Sequence, residues 1–219
     1  MTDHRSRFLD LALAADALRF GSFTLKSGRI SPYFFNAGRF DSGALMSGLA
    51  GCYVDAIEAA GLAFDLLFGP AYKGIPLATA IACEYAHRQR DLPLAFNRKE
   101  AKDHGEGGNL IGADMAGRRI LIVDDVITAG TAIREALAII REANGIPAGI
   151  VVALDRQEIA SEDDRRSAAQ AVAAETGIPV IAVANLADLL AFASGNPELV
   201  GYREPLLAYR GQYGSNPTG

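Results

Sequence analysis

Features that would assign this chain to several common protein classes are missing from its sequence. It has only two cysteines in 219 residues, too few for a disulfide framework. Both, Cys52 and Cys83, lie in helical patterns among small and apolar neighbours, which predicts buried free thiols rather than a disulfide or a metal pair. The longest apolar stretch, Ile146 to Leu154, includes Pro147 and Gly149 and is too short to span a bilayer.

Excess positive charge and a targeting segment are missing as well. The net charge is −5 and no basic tail is present, so nucleic acid, which is bound through many phosphate contacts, is a poor candidate ligand. An acidic chain that binds a small polyanion must gather its cations locally. The first ten residues, MTDHRSRFLD, contain acids and lack the layout of a signal peptide. We therefore expect a soluble, cytoplasmic protein.

Two common phosphate-binding motifs are absent, but another arrangement of the same kind is present. The sequence contains neither the P-loop pattern G-x-x-x-x-G-K-[ST] nor the dinucleotide pattern G-x-G-x-x-G. Instead, the apolar run Ile120 to Val123 is followed by Asp124 and Asp125, by the small-residue turn Thr128 to Thr131, and by a helical pattern from Ala132. This order predicts a buried parallel strand, a turn and a helix.

The turn between this strand and helix has the chemistry of an anion site. The start of a helix offers unpaired N–H groups and the positive end of the helix dipole, and Gly130 allows the backbone to approach a phosphate closely. Two carboxylates beside a phosphate would repel it, so we assign Asp124 and Asp125 to sugar hydroxyls or to a divalent cation held through water. The simpler alternative is that both carboxylates cap a turn and the threonines are ordinary helix caps.

Strand and helix patterns alternate along most of the chain. This alternation predicts an α/β fold with a mostly parallel central sheet flanked by helices, in a single domain of residues 1–219. A hairpin of residues 23–35 and the first helix form a small N-terminal hood of about residues 1–40, and the last residues, GQYGSNPTG, are expected to be a loose tail. The predicted strands of the sheet are 66–68, 94–97, 120–123, 150–154 and 180–183. The predicted helices are 5–20, 42–60, 164–176 and others starting at 74, 132 and 186.

Two further polar segments follow predicted strands, at the sheet edge where ligands of such folds bind. In the first, residues 69–74 (GPAYKG), Lys73 could be a solvated cation or could hold an anion. The second, residues 97–108 (NRKEAKDHGEGG), has no apolar period, so we predict a mobile loop of about residues 98–110. It is either a solvated charge run or a lid that folds over a substrate.

Taken together, these motifs resemble the orotate phosphoribosyltransferase family of type I phosphoribosyltransferases. The stretch VDDVITAGTA is similar to the type I motif for phosphoribosyl pyrophosphate (PRPP), and FTLKSGR, SPYFFN and GPAYKG are similar to segments of orotate phosphoribosyltransferases. The resemblance covers nearly the whole chain. It implies the type I fold and the transfer of ribose 5-phosphate from PRPP to orotate, which yields orotidine 5′-phosphate and pyrophosphate in de novo pyrimidine (UMP) biosynthesis.

The resemblance also implies residue roles, a Mg²⁺ cofactor and a homodimer. Magnesium would be held mainly by the pyrophosphate of PRPP and through water by Asp124 and Asp125, and the 98–110 loop would reach the neighbouring subunit's site. The implied catalytic residues are Lys73, Lys102, His104, Asp124 and Asp125. The implied PRPP contacts are Lys26, Tyr72, Lys73, Arg98, Lys99, Lys102, His104, Asp124, Asp125, Val126, Ile127, Thr128, Ala129, Gly130, Thr131 and Ala132. The implied orotate contacts are Phe34, Phe35, Thr128 and Arg156.

Two other functions fit parts of the sequence. One is a phosphoribosyltransferase for a purine or another pyrimidine base; Lys26, the Phe34-Phe35 pair and Arg156 favour orotate, because a guanidinium binds a carboxylate in a two-pronged bond. The other is a PRPP-sensing regulator that has lost catalysis, with or without nucleic-acid binding, which the acidic balance and the intact Lys102 and His104 argue against. An interaction module without a ligand would leave the ordered series of motifs unexplained.

Overall fold

The computed structural model describes residues 3–25, 27–102, 108–128, 130–159 and 163–215, the side chains of 100–102 and 108 excepted. The strands in these ranges are β1 (Leu18–Thr24), β2 (Ile30–Phe35), β3 (Leu66–Gly69), β4 (Leu94–Lys102), β5 (Gly108–Gly112), β6 (Arg119–Val123), β7 (Ile146–Asp155) and β8 (Val180–Asn185). The helices are α1 (His4–Ala14), α2 (Gly43–Ala60), α3 (Gly74–His87), α4 (Thr131–Glu142), α5 (Ala168–Thr176), α6 (Leu186–Gly195) and α7 (Arg203–Tyr213).

A six-stranded sheet forms the centre of the fold, with the strand order β5-β4-β3-β6-β7-β8. All neighbouring strands are parallel except the edge pair β4 and β5, which is antiparallel. The parallel strands β3, β6 and β7 are adjacent, so their carboxyl ends meet at one edge. The predicted fold class, a mostly parallel sheet flanked by helices with a small antiparallel hairpin beside it, is confirmed.

Helices cover both faces of the sheet, so its central strands are apolar on both sides. Leu67, Leu121 and Val151 belong to one buried cluster, which α1, α2, α3, α6 and α7 complete. Their neighbours Phe68 and Ile122 belong to a second cluster, on the face packed by α4 and α5. The strand β6 is buried from its second residue to its last, which explains why its sequence is a continuous apolar run rather than an alternation.

The N-terminal hairpin differs from the prediction in where the first helix ends. We predicted a helix over residues 5–20, but α1 ends at Ala14, and the chain turns through Asp16, which has a φ of 54°. Leu18 then begins β1, which pairs with β2 in antiparallel register from Leu18 opposite Phe35 to Thr24 opposite Ile30. The hairpin was predicted from residue 23, and periodicity missed the first part of β1 because its alternation continues the helical apolar positions without a break.

The predicted loop of residues 98–110 is wrong for the part that the structure describes. Beyond Phe96, β4 has no further partner residue in β3 and pairs with β5, with Lys102 opposite Gly108. A two-stranded ribbon that extends past the sheet needs no apolar face, so the charged residues Arg98 and Lys99 lie in a strand despite the missing pattern. Residues 103–107, with His104, lie outside the described residues.

The C-terminus also differs from the prediction. Residues 211–213 end α7, whose Leu206 and Tyr209 are buried, so this part of the chain is not a loose tail.

Three further predictions can be compared with the structure. Cys52 is buried as predicted, but Cys83 is exposed. The helix expected from residue 164 begins at Ala168, because Ser167 forms a capping box with Gln170. None of the described helices combines the length and the hydropathy needed to cross a lipid bilayer.

Candidate active site

Two adjacent carboxylates stand at the carboxyl end of the central strand β6. Asp124 and Asp125 are buried, at 8% and 6% exposure. Their backbone continues the sheet, because the N–H of Asp124 donates to the Val151 carbonyl over 3.0 Å and the Asp125 carbonyl accepts from the N–H of Ala153 over 2.9 Å. A rigid strand end therefore carries both acids, which favours a binding role over a loose turn cap.

The backbone around Asp124 is also held by a hydrogen bond from helix α2. The Tyr53 hydroxyl of α2 donates to the Asp124 carbonyl over 2.8 Å, and the N–H of Asp125 donates to the Asp124 carboxylate over 2.9 Å. Tyr53 was not predicted from the sequence, because a tyrosine at a core position of a helix gives no sign of what its hydroxyl contacts. The first bond fixes the backbone of Asp124 and the second fixes the orientation of its carboxylate.

Burial dominates the electrostatics of the pair. It raises the pKa of Asp124 to about 7, and the charge of Asp125 acts in the same direction, while the N–H of Asp125 and the charge of Lys73 act against it. Lys73 lies close to Asp125, with 2.5 Å between Nζ and Oδ2. Lys73 thus contacts Asp125 directly and influences Asp124 by its charge, although the lysine and the acids come from two segments about 50 residues apart in sequence.

The segment that carries Lys73 joins β3 to α3 and is packed tightly against the end of β6. A Cβ atom on Gly74 would lie 2.6 Å from the Val123 carbonyl oxygen, and one on Gly69 would lie 2.4 Å from the Gly74 carbonyl oxygen. Neither position has room for a side chain, so glycine is required for the close approach. This packing carries Lys73 onto the acidic pair.

The same segment contacts the neighbouring strand β4. The peptide bond between Ala71 and Tyr72 is cis, and the N–H of Ala71 donates to the Asn97 side-chain oxygen over 2.9 Å. Tyr72 is 66% exposed, and Lys99 Nζ lies 5.0 Å from the centre of its ring, within the range of a cation–π contact. We predicted Asn97 only as the end of a strand and not as a partner of Ala71. Its place at a strand end, on the edge where the polar segments meet, was the only sequence signal for this contact.

The turn after the acids leads into α4 as the sequence predicts. Gly130 is the N-cap of α4 and has a φ of 73°, and a Cβ there would lie 2.9 Å from Val172. Because the N-cap is glycine, no N-cap side chain accepts hydrogen bonds from the first N–H groups of the helix. Thr128, Thr131 and Ala132 are exposed and Val126 and Ile127 are half-buried, whereas Ala129 lies outside the described residues. An anion could therefore reach these N–H groups.

The two aromatic residues predicted to contact orotate do not lie on one face of the hairpin. Phe34 and Phe35 are consecutive in β2 and so point to opposite faces: Phe34 packs against Phe23, with 5.6 Å between ring centres, and Phe35 against Phe8, with 5.9 Å. At most one of the two rings can face a shared pocket, so a double aromatic wall does not form. Lys26 lies outside the described residues.

Arg156 follows β7 directly and is held in a network of neighbours. Its Nε donates to Glu158 over 2.9 Å, and its guanidinium carbon lies 5.0 Å from the centre of the Tyr33 ring. Since β7 is the neighbour of β6, Arg156 reaches the same sheet edge as the acids. Of the predicted residues, the structure brings Lys73, Asp124 and Asp125 into contact, and sets the α4 turn and Arg156 beside them along that edge.

Metal binding by protein side chains alone is not supported here. Within the part of the chain that the structure describes, no three His, Cys, Asp or Glu side chains are grouped so that they could hold a metal ion. Asp124 and Asp125 offer hard carboxylate oxygens, which suit Mg²⁺ if a ligand supplies phosphate oxygens as well.

Comparisons with known proteins agree with this geometry. The family model "Phosphoribosyl transferase domain" matches residues 41–171. The chain is 82% identical over 219 residues, covering both chains completely, to an orotate phosphoribosyltransferase of Xanthomonas euvesicatoria pv. vesicatoria (strain 85-10). It is 81% identical over 214 residues, 98% of each chain, to that of Stenotrophomonas maltophilia (strain K279a).

A solved structure of an orotate phosphoribosyltransferase, from Francisella tularensis, is also similar. It has a TM-score of 0.86 and 42% identity, and the match covers 95% of this chain and 99% of that one. The motifs at the edge of the sheet and the full-length similarity lead to the same conclusion: this chain belongs to the orotate phosphoribosyltransferase family.

Proposed function

We propose that this protein transfers the ribose 5-phosphate group of PRPP to the ring nitrogen of orotate, giving orotidine 5′-phosphate and pyrophosphate in de novo pyrimidine (UMP) biosynthesis. The observation that carries the proposal is the grouping at one sheet edge of a carboxylate pair, a lysine and an uncapped helix start. A ribose, a pyrophosphate and a 5′-phosphate need these three kinds of partner, and PRPP contains all three. The full-length relatives support orotate as the acceptor.

Each part of PRPP has a partner in this arrangement. The 5′-phosphate binds the N–H groups and hydroxyls of the Thr128–Thr131 turn, where the helix dipole favours negative charge. The carboxylates of Asp124 and Asp125 accept hydrogen bonds from the ribose hydroxyls. The pyrophosphate binds Lys73 and the backbone of the Gly69–Gly74 segment, with Tyr72 at its exposed rim.

The reaction builds opposite charges on the two separating groups. As the C1′–O bond breaks, positive charge develops on the sugar, as in glycoside cleavage, and negative charge on the pyrophosphate. The buried acids lie next to the sugar and stabilise its charge, while Lys73 stabilises the leaving group, so the protein acts by positioning and electrostatics. Bound Mg²⁺ would neutralise the pyrophosphate, with Asp124 and Asp125 holding it through water.

The proposal also includes the cationic segment and the assembly. Arg98, Lys99, Lys102 and His104 contact the pyrophosphate, with Lys102 and His104 assisting its departure by charge or proton donation. The enzyme is a homodimer in which this segment reaches the partner's site, and it works in the cytoplasm. In support, Arg98 and Lys99 lie on a ribbon that extends beyond the sheet.

The acceptor side completes the proposal. Arg156 binds the carboxylate of orotate in a two-pronged bond, with Thr128 and one of the two rings, Phe34 or Phe35, beside the pyrimidine and Lys26 towards PRPP. The deciding experiment mixes the protein with PRPP, Mg²⁺ and orotate and follows orotate loss and pyrophosphate release together, with adenine, hypoxanthine and uracil as parallel acceptors. Equal loss and release, abolished without Mg²⁺, supports the proposal.

The other outcomes separate the alternatives. Turnover with a different base would retain the PRPP site but reject the acceptor assignments at Phe34, Phe35 and Arg156. No turnover with any base, together with PRPP binding measured by calorimetry, would favour a PRPP-sensing regulator. Omitting PRPP is the control for orotate loss by other routes.

A further inference from the structure

A partly buried ionic network lies behind Arg156. The Glu158 side chain is 13% exposed and the Arg156 side chain 22%. The same carboxylate oxygen of Glu158 accepts from Nε of Arg156 over 2.9 Å and lies 2.7 Å from its Nη2. Two of the three guanidinium nitrogens are therefore engaged from one side.

The outer edge of this guanidinium has fewer contacts. Its Nη2 also faces the Ser31 hydroxyl, at 3.5 Å, and the Tyr33 ring lies 5.0 Å from the guanidinium carbon. Among the described residues, no acceptor bonds Nη1. The guanidinium thus presents one edge, formed by Nη1 and the outer side of Nη2, away from Glu158.

Glu158 is itself fixed from several directions. The Tyr33 hydroxyl donates to it over 3.4 Å, and Arg29 Nη1 lies 4.0 Å from its second oxygen. Arg29 also donates to the Ile159 carbonyl over 2.8 Å and stacks on Tyr213, 4.7 Å from the ring centre. Two arginines share the Glu158 carboxylate, an arrangement that suits an anionic ligand at the outer edge of Arg156.

The C-terminal segment holds the backbone of residues 157–159, the loop that follows β7. The N–H of Ile159 donates to the Tyr213 carbonyl over 2.9 Å, and that of Ser215 donates to the Gln157 carbonyl over 2.7 Å. Glu158 and Gly214 form an antiparallel bridge between these bonds. The loop after β7 is therefore paired on its outer side like a short strand, and Glu158 cannot move independently of α7.

We propose that Glu158 is a positioning residue for acceptor recognition. It holds the Nε side of Arg156 so that the opposite guanidinium edge is presented to the acceptor's carboxylate, and the C-terminal segment fixes Glu158 in turn. The inference rests on the proposed function, in which Arg156 binds orotate. Without Glu158, the guanidinium would rotate about its long side chain and lose the two-pronged geometry on which its selectivity depends.

The test is a double-mutant cycle on steady-state kinetics. Glu158→Ala should raise the KM for orotate about tenfold and leave the KM for PRPP within about twofold, because only acceptor geometry changes. In an Arg156→Ala background, the same substitution should add no further loss, since Glu158 acts through Arg156. A purely structural role would instead change both KM values or kcat, and would add to the Arg156→Ala effect; either result overturns the proposal.

A conservative variant separates orientation from charge. Glu158→Gln keeps an oxygen acceptor, so it should recover most of the orotate affinity, with a loss of about threefold. Equal losses in the Gln and Ala variants would contradict an orienting role. If Glu158→Ala does not fold, as judged by circular dichroism, the cycle is run with Glu158→Gln, whose smaller loss must again vanish in the Arg156→Ala background. Absence of turnover with orotate in the wild type would reject the proposed function itself, which is a different result from an inert Glu158.

Discussion

Replacing Asp124 by asparagine should make the ligand-free protein more stable and its site weaker. Burial raises the pKa of this carboxyl from 3.8 to about 7, so the folded protein binds a proton more tightly than the unfolded chain. Between these two pKa values the unfolded chain is ionised and the folded protein is not, and stability therefore falls as pH rises. Above about pH 7 the whole cost of the buried charge is present.

The magnitude follows from the size of the shift. About three pKa units at 1.36 kcal/mol per unit correspond to about 4 kcal/mol, which is the upper bound for the gain. Asparagine keeps the oxygen that accepts from the N–H of Asp125, so no hydrogen bond needs to be lost. We expect the variant to exceed the wild type in free energy of unfolding by about 2–4 kcal/mol at about pH 8, and by little at about pH 4.

Urea unfolding of both proteins across this pH range measures the difference. Asp65→Asn is the matched control, because Arg119 donates to Asp65 through hydrogen bonds that lower the pKa of this exposed carboxyl. The stability that Asp65 contributes is lost only on acidification below its usual pKa, so its difference from the wild type should stay flat above about pH 5. PRPP affinity of Asp124→Asn should fall about 10- to 150-fold, as expected for a lost charge-assisted hydrogen bond. A gap in unfolding free energy that does not grow with pH would refute the reasoning.

Three further substitutions test other parts of the site. Tyr53→Phe should destabilise the fold by about 1–2 kcal/mol in urea unfolding, because it leaves the Asp124 carbonyl without its donor. Tyr85→Phe is its control and should be neutral, since the Tyr85 hydroxyl has no partner among the described residues; equal losses would contradict the argument. Gly74→Ala should cost at least about 2 kcal/mol and lower kcat/KM for PRPP, because its Cβ would overlap the end of β6; a wild-type melting temperature would disprove the close approach. Lys102→Ala should reduce kcat far more than orotate affinity, and a loss confined to affinity in the kinetic assay would count against its role in pyrophosphate departure.

The parallel core was predictable because its signal is local. β6 is buried on both faces, so Ile120 to Val123 form an uninterrupted apolar run, and α2 has its serine cap and its terminal Gly61 in the sequence. Burial pattern and helix caps depend on residues that are close in sequence. The turn after Asp125 was predictable for the same reason.

The parts that were missed depend on partners far away in sequence. The ribbon beyond Phe96 exists because β5 pairs with it, and no periodicity in its charged residues records that partner. The end of α7 is ordered because Gly214 and Ser215 pair with the loop after β7. Likewise, the resemblance assigned both phenylalanines of β2 to orotate, although adjacent strand residues face opposite sides.

The contact between Lys73 and Asp125 has a consequence for the thermodynamics of ligand entry. The free site already contains its own counter-ions, so binding a polyanion is an exchange of partners rather than the capture of an anion by bare cations. In the proposed reaction, each hydrogen bond that Lys73 transfers from Asp125 to a phosphate frees that carboxylate for a sugar hydroxyl or for a metal-bound water. A ligand that offers only phosphate, or only a sugar, breaks this pair without replacing both halves of it. The site thereby favours a molecule that contains both groups, before any cation from the ribbon takes part.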